Sequence, residues 1–153
     1  MIGYIDGSCR KNPGLGGFGV VIMDDKKERV LYCHSKISEK DTTNNEQELL
    51  AACYALARYG KEKEPITFYC DSSYTINTLT NWMFNWEKNG WIKSDKKKPE
   101  NLDIIKFYFI LWQQGNRIEL KKIKGHAGIL GNEIADKLAK GEITVDKCIE
   151  LYG

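Results

Sequence analysis

The chain has no pair of cysteines spaced for a metal or a disulfide framework. Its five cysteines (Cys9, Cys33, Cys53, Cys70 and Cys148) form no CxxC and no zinc pattern, and their count is odd. They read as reduced thiols of a cytoplasmic protein. The chain opens directly on Met1-Ile2-Gly3-Tyr4 with no signal peptide, and no apolar run is long enough to span a bilayer, so no membrane role is expected. Strong charge of one sign is missing too: the formal net charge is +2, which gives no global argument for nucleic acid. There is no internal repeat, low-complexity segment or linker. The 153 residues read as a single domain, 1–153, with about 141–153 as a C-terminal tail. What is present is an ordinary globular balance, 42% hydrophobic and 29% charged.

Hydrophobic periodicity orders the chain as β-β-β-α-β-α-α-β-α. Ile2 to Ile5 reads as a strand ending at Asp6-Gly7-Ser8, followed by a turn-rich loop through Gly14 and Gly17. Phe18 to Met23 and Arg29 to Ile37 read as strands joined by a tight turn, which favours an antiparallel meander. Thr43 and Glu46 have capping-box spacing, and Leu49, Ala52, Cys53 and Leu56 recur at helical intervals up to Gly60. Ile66 to Cys70 reads as a fourth strand, Tyr74 to Trp86 as a helix broken near Thr80-Asn81, and Pro99 to Gln114 as another helix. Arg117 to Ile123 is the fifth strand. A glycine-rich loop carrying His126 then leads into a helix from Gly131 or Asn132, and 143 to 152 reads as a short extra helix. A meander followed by βαβ units implies an α/β domain. Its five-stranded mixed sheet has three antiparallel strands, then two parallel ones, and helices on both faces.

Two aspartates, Asp6 and Asp71, each follow an apolar strand. Sites in open α/β sheets form at the carboxyl ends of strands near a switch in strand order. If the first and fourth strands are adjacent and parallel, these carboxylates stand side by side and repel unless protonated or bridged by cations. Glu48 and Asp136 can approach from helices. Asp136 lies at the border of the apolar stripe made by Ile134, Ala135, Leu138 and Ala139. Four oxygen donors without His or Cys suit Mg²⁺, with Mn²⁺ as a substitute. Two such ions about 3.5–4 Å apart can clamp an in-line phosphodiester displacement. Each acid also has a plain structural reading: Asp6 as a turn residue, Asp71 as a helix cap, Glu48 as a first-turn acid. His126, between glycines, suits proton transfer or product release, or is simply a surface histidine. Between Glu87 and Lys98 there are five lysines against two acids, with Trp82, Trp86 and Trp91 just before or inside the stretch. Such a combination suits a groove that tracks a nucleic-acid backbone, or is a solvated loop over an aromatic cluster.

Taken together, these residues resemble type 1 ribonuclease H, in the bacterial form with a basic protrusion. The resemblance covers nearly the whole chain. It rests on Ile5-Asp6-Gly7-Ser8-Cys9 with Asn12-Pro13-Gly14, Thr42-Thr43-Asn44-Asn45 with Glu48, and Asp71-Ser72-Ser73-Tyr74. It continues through Trp82 to Trp91 with the lysines after them, and Gly125-His126-Ala127-Gly128 with Asn132, Glu133 and Asp136. It implies a ribonuclease-H-like fold and a metal-dependent endonuclease that cuts RNA within RNA–DNA hybrids, leaving 5′-phosphate and 3′-hydroxyl ends. By motif position it implies Asp6, Glu48, Asp71 and Asp136 as metal-binding carboxylates, with two Mg²⁺ per site when substrate is bound, and His126 as a mobile catalytic histidine. Asn12, Asn44 and Asn45 fall where the family contacts the hybrid's minor groove. Thr43 and Asn101 fall where it holds a DNA phosphate, and Tyr74 and Trp86 where aromatics line the DNA channel. Ser73, Trp82, Asn132 and the protrusion's Lys96, Lys97 and Lys98 complete the expected substrate contacts. A monomer without an obligate protein partner is expected, with no hybrid-binding domain or polymerase attached.

The chain departs from the family pattern at three places. Asp41, an acid, stands where many members carry Arg before the paired threonines, Ser73 where many bacterial members have Gln, and Ile105 where some have Trp. Two other readings stay open: another enzyme of the same fold acting on DNA strands, such as an integrase or resolvase, and a catalytically dead hybrid-binding module. The Thr42 to Asn45 stretch and the basic protrusion weigh against the first, and the presence of all four acids against the second.

Overall fold

The computed structural model describes residues 1–10 and 13–153. Five strands form one sheet in the order β3-β2-β1-β4-β5: β1 (Ile2–Cys9), β2 (Gly16–Met23), β3 (Val30–Ile37), β4 (Thr67–Cys70) and β5 (Glu119–Lys122). The β1–β2 and β2–β3 pairs are antiparallel, and the β1–β4 and β4–β5 pairs parallel, as the element order implied. The strand order reverses at β1, and the chemistry gathers there.

β1 runs further than the sequence suggested. Asp6-Gly7-Ser8 reads as a turn, yet β1 pairs with β2 through Ser8↔Gly17 and Cys9↔Gly16, so Asp6 lies within the strand. Cross-strand pairing outweighs the local turn preference here. What stops before Asp6 is the ladder to β4, whose last partners are Tyr4↔Tyr69.

Alternation along β1 sends Ile5 to one face and Tyr4 to the other, and each lies in its own apolar cluster. On the Ile5 face are α1 (Asn44–Tyr59), the run α2 (Ser73–Asn77), a π-helical turn (Thr78–Trp82) and α3 (Met83–Lys88), and α4 (Leu102–Gln113). On the Tyr4 face are α5 (Leu130–Ala139) and α6 (Val145–Tyr152). The π turn spans the expected break at Thr80-Asn81. Leu49 and Leu56 of α1 and Leu138 of α5 have no exposed surface. Each such side chain contributes roughly 1.5–3 kcal/mol of burial. α6 sets Cys148 against β3, also with no exposed surface.

Thr43 caps α1, its hydroxyl accepting from the Glu46 N–H at 3.1 Å. The Glu46 side chain does not close the expected capping box. It accepts instead from the Thr42 hydroxyl at 2.6 Å, and the buried Gln47 amide donates to the same hydroxyl at 2.9 Å. Thr42 also exchanges two backbone hydrogen bonds with Gly14. The start of α1 is thereby tied to the loop after β1.

Candidate active site

Asp6, Glu48 and Asp71 each offer an oxygen within 4.8 Å of the others. Asp6 comes from β1, Asp71 from the residue after β4, and Glu48 from the second turn of α1. The parallel register of β1 and β4 brings the two aspartates together. Gly7 lets α1 approach: a Cβ there would lie 2.3 Å from the Glu48 backbone nitrogen. Asp6 accepts from the Gly7 N–H at 3.1 Å, and the Cys70 thiol stands 3.9 Å from Glu48 Oε2. Asp136 lies beyond this trio, at hydrogen-bonding reach of Asp6 and 3.0 Å from Lys140 Nζ one helical turn on.

The trio is electrostatically strained. Asp6 and Glu48 are each only 5% exposed. Burial pushes the Asp6 carboxyl far above its ordinary range, and the nearby Glu48 and Asp71 carboxylates push it further. Burial is also the largest cause lifting Glu48, with Asp71 adding to it. Burial raises the Cys70 thiol, which is therefore no nucleophile. Buried like charges of this kind call for a cation, and a set of carboxylate oxygens alone fits a hard divalent ion.

His126 is exposed on the loop before α5, with a left-handed backbone (φ 54°). The loop rests on Asp71, since a Cβ on Gly125 would lie 2.5 Å from Asp71 Oδ2. Lys122 further ties this edge by donating to the Asp71 carbonyl.

Apart from Asn132 and Asn12, the remaining predicted residues fall into four groups. Thr43, Asn44 and Asn45 stand at the α1 N-terminus, both asparagines exposed and about one helical turn before Glu48. Tyr74 and Asn101 meet, the amide donating to the phenol oxygen at 3.4 Å, with Ser73 exposed one residue before Tyr74. Trp82 and Trp86 lie 6.1 Å apart between ring centroids, Trp82 being 39% exposed. Lys96, Lys97 and Lys98 are exposed, on a loop braced by Trp91 against Phe109. Asn132 is not on that surface: it is 3% exposed, and its Nδ2 has no partner among the described residues. Asn12 lies outside the described residues. Of the departures, Asp41 is exposed and Ile105 is a fully buried core residue. The sequence reading missed Lys140, although its spacing of four from Asp136 was the available signal.

Comparison with known proteins agrees with this geometry. The RNase H family model, described as RNase H, matches residues 1–144. This chain belongs to the RNase H family. Among RNase H relatives, the ribonuclease H of Francisella tularensis subsp. novicida (strain U112) is 40% identical over 149 residues, covering 94% of this chain and 90% of its own. That of Francisella philomiragia is 39% identical over the same span. Among solved structures, the PFV RNase H domain superposes with a TM-score of 0.77 at 27% identity, with 90% of each chain covered. LC11-RNase H1, solved in complex with RNA/DNA hybrid, gives 0.67 at 26% identity, over 95% of this chain and 96% of that one. The family assignment makes the chain a metal-dependent ribonuclease H. No helix among the described residues is long and apolar enough to cross a membrane.

Proposed function

We propose that this chain hydrolyses the RNA strand of RNA–DNA hybrids, leaving 5′-phosphate and 3′-hydroxyl ends, with Mg²⁺ held by Asp6, Glu48, Asp71 and Asp136. The convergence of three acids within 4.8 Å at the β1–β4 switch point carries the reading. Bound there, the metal would supply Lewis-acid charge against the scissile phosphate. The protein's own part is positioning. The α1 N-terminus, with Thr43, Asn44 and Asn45, presents backbone N–H groups and short amides suited to a phosphate and a minor groove. The 2′-hydroxyl is what lets such a surface tell RNA from DNA. Tyr74, Asn101, Trp82 and Trp86 form a polar and aromatic wall for the partner strand, and Lys96 to Lys98 add affinity without sequence preference. His126, exposed beside Asp71, exchanges a proton with the reacting groups or with departing product.

The five cysteines, with no disulfide among the described residues, suit a reducing cytoplasm, and the chain works as a monomer without an obligate protein partner. The test is cleavage of matched labelled RNA–DNA, RNA–RNA and DNA–DNA duplexes, each with Mg²⁺ and with EDTA. Cutting confined to the RNA of the hybrid, and dependent on metal, is expected. Cutting of DNA–DNA would make it a DNA nuclease of the same fold, and binding without cutting a hybrid-binding module.

A further inference from the structure

Past the Asp136–Lys140 pair is a hollow that the proposed chemistry does not use. On β1 the side chains of Asp6 and Ser8 alternate onto the α5 side, and Arg10 follows just past the strand's end, lining the same pocket as Ser8. On α5, Asp136 and Lys140 are one turn apart. The two rows run together because β2 carries glycine where α5 crosses it: a Cβ on Gly17 would lie 2.7 Å from the Ala139 carbonyl oxygen. The acidic ends of both rows meet at the catalytic site. Their other ends, Ser8, Arg10 and Lys140, line a pocket of about 240 Å³ with Leu15, Ile37 and Ala139.

The chemistry of this pocket is that of an anion site with apolar ledges. Arg10 is exposed, and no ion pair or side-chain hydrogen bond to it occurs among the described residues. Lys140 Nζ has three donors, and among the described residues the contact to Asp136 at 3.0 Å occupies one. Leu15 and Ile37 are 57% and 48% exposed and can pack against a sugar face. The volume is below that of a drug-sized ligand pocket. It suits one sugar-phosphate unit and not a base pair. A strand whose scissile linkage lies against Asp6 and Asp136 must continue past one end of these rows, and this end carries the cations.

We propose that Ser8, Arg10 and Lys140 form a subsite for a backbone phosphate of the cleaved strand, next to the scissile linkage. The proposal rests on the hybrid-cleavage reading. Lys140 then links the subsite to the catalytic carboxylates through Asp136, while Arg10 touches only the phosphate.

The test measures binding of a hybrid in EDTA, where no cleavage occurs, for the native chain, Arg10→Gln and Lys140→Gln. Each variant should lower the slope of log affinity against log salt by about 1, the signature of one lost phosphate contact. Hybrids carrying a single neutral methylphosphonate, walked along each strand, locate that contact. One RNA linkage beside the cleavage position should weaken the native chain but add nothing to Arg10→Gln. KM for cleavage of the unmodified hybrid with Mg²⁺ should rise in Arg10→Gln, with kcat falling by less. Unchanged salt slopes with additive methylphosphonate effects would overturn the subsite, and coupling to a DNA-strand linkage would overturn its assignment to the cleaved strand. Failure of the native chain to cleave any hybrid would instead refute the hybrid-cleavage reading, a result the binding arms do not depend on.

Discussion

Asp6 is buried among acids, and the fold holds it there against its own electrostatics. Its carboxyl and that of Glu48 both bind protons more tightly in the folded chain than in the unfolded one. A folded state that binds more protons loses stability as pH rises. Without metal, the contribution of these two carboxyls to stability is therefore fullest below about pH 4, where the unfolded carboxyls also protonate, and is lost as pH climbs through the raised folded values. Asp6→Asn removes this penalty. In EDTA at pH 8 the variant should be more stable than the native chain by at least about 1 kcal/mol, the worth of one pKa unit. Its cleavage should be abolished. Added Mg²⁺ should raise the melting temperature of the native chain more than that of the variant. Denaturation curves at pH 5 and pH 8 check the sign, and a native chain that is more stable at pH 8 in EDTA would contradict it. Asp71→Asn should likewise abolish cleavage while hybrid binding persists. Unchanged turnover would remove Asp71 from the metal site.

At the scale of elements, β1 and α1 were legible to different depths. Asp6 and Asp71 were expected to meet only if β1 and β4 lay adjacent and parallel, and the structure pairs the two strands in that way. The extension of β1 past Asp6 was not legible, because Asp-Gly-Ser favours a turn locally and only pairing with β2 keeps it extended. The ion pair from Lys140 to Asp136 was legible in their spacing of four on one helix but was not read. The cap at Thr43 was readable, but the diversion of Glu46 to Thr42 was not, since it needs Gln47 buried behind them. Thr43→Ala should cost about 1 kcal/mol as a lost cap. If Thr43 also holds a phosphate, KM should rise beyond what Thr43→Ser shows, because serine keeps the hydroxyl. Equal KM values for the two variants would confine Thr43 to capping. At the other end, α6 covers β3 with Cys148 fully buried and Val145 and Tyr152 partly so. Ending the chain before Ile143 should lower stability by roughly 3 kcal/mol, the burial of one to two apolar side chains. An unmoved denaturation midpoint would make α6 a passive tail.

On the scale of the whole molecule, a formal net charge of +2 hides a division of labour. Carboxyl groups are concentrated and buried at the β1–β4 switch point, where a proton or a metal cation relieves their repulsion. Positive charge is spread in solvent on the loop beyond α3, where Lys96, Lys97 and Lys98 have no ion-pair partner among the described residues. A polyanion is attracted by the second and repelled by the first until metal is bound. Binding should therefore depend on salt through the lysines, and on metal through the acids, as two separable effects. Replacing Lys96, Lys97 and Lys98 by Ala should raise KM several-fold while kcat falls by less. It should also flatten the salt dependence of kcat/KM by up to about three contacts' worth. The protrusion's brace, Trp91 against Phe109 with Lys106 over the indole, is untouched by these changes, so the denaturation midpoint should stay in place. A fall in kcat equal to the loss in kcat/KM would mean that the lysines act in the chemical step. No change in either parameter would reduce the loop to a solvated surface and leave substrate affinity to the α1 N-terminus and the aromatic wall.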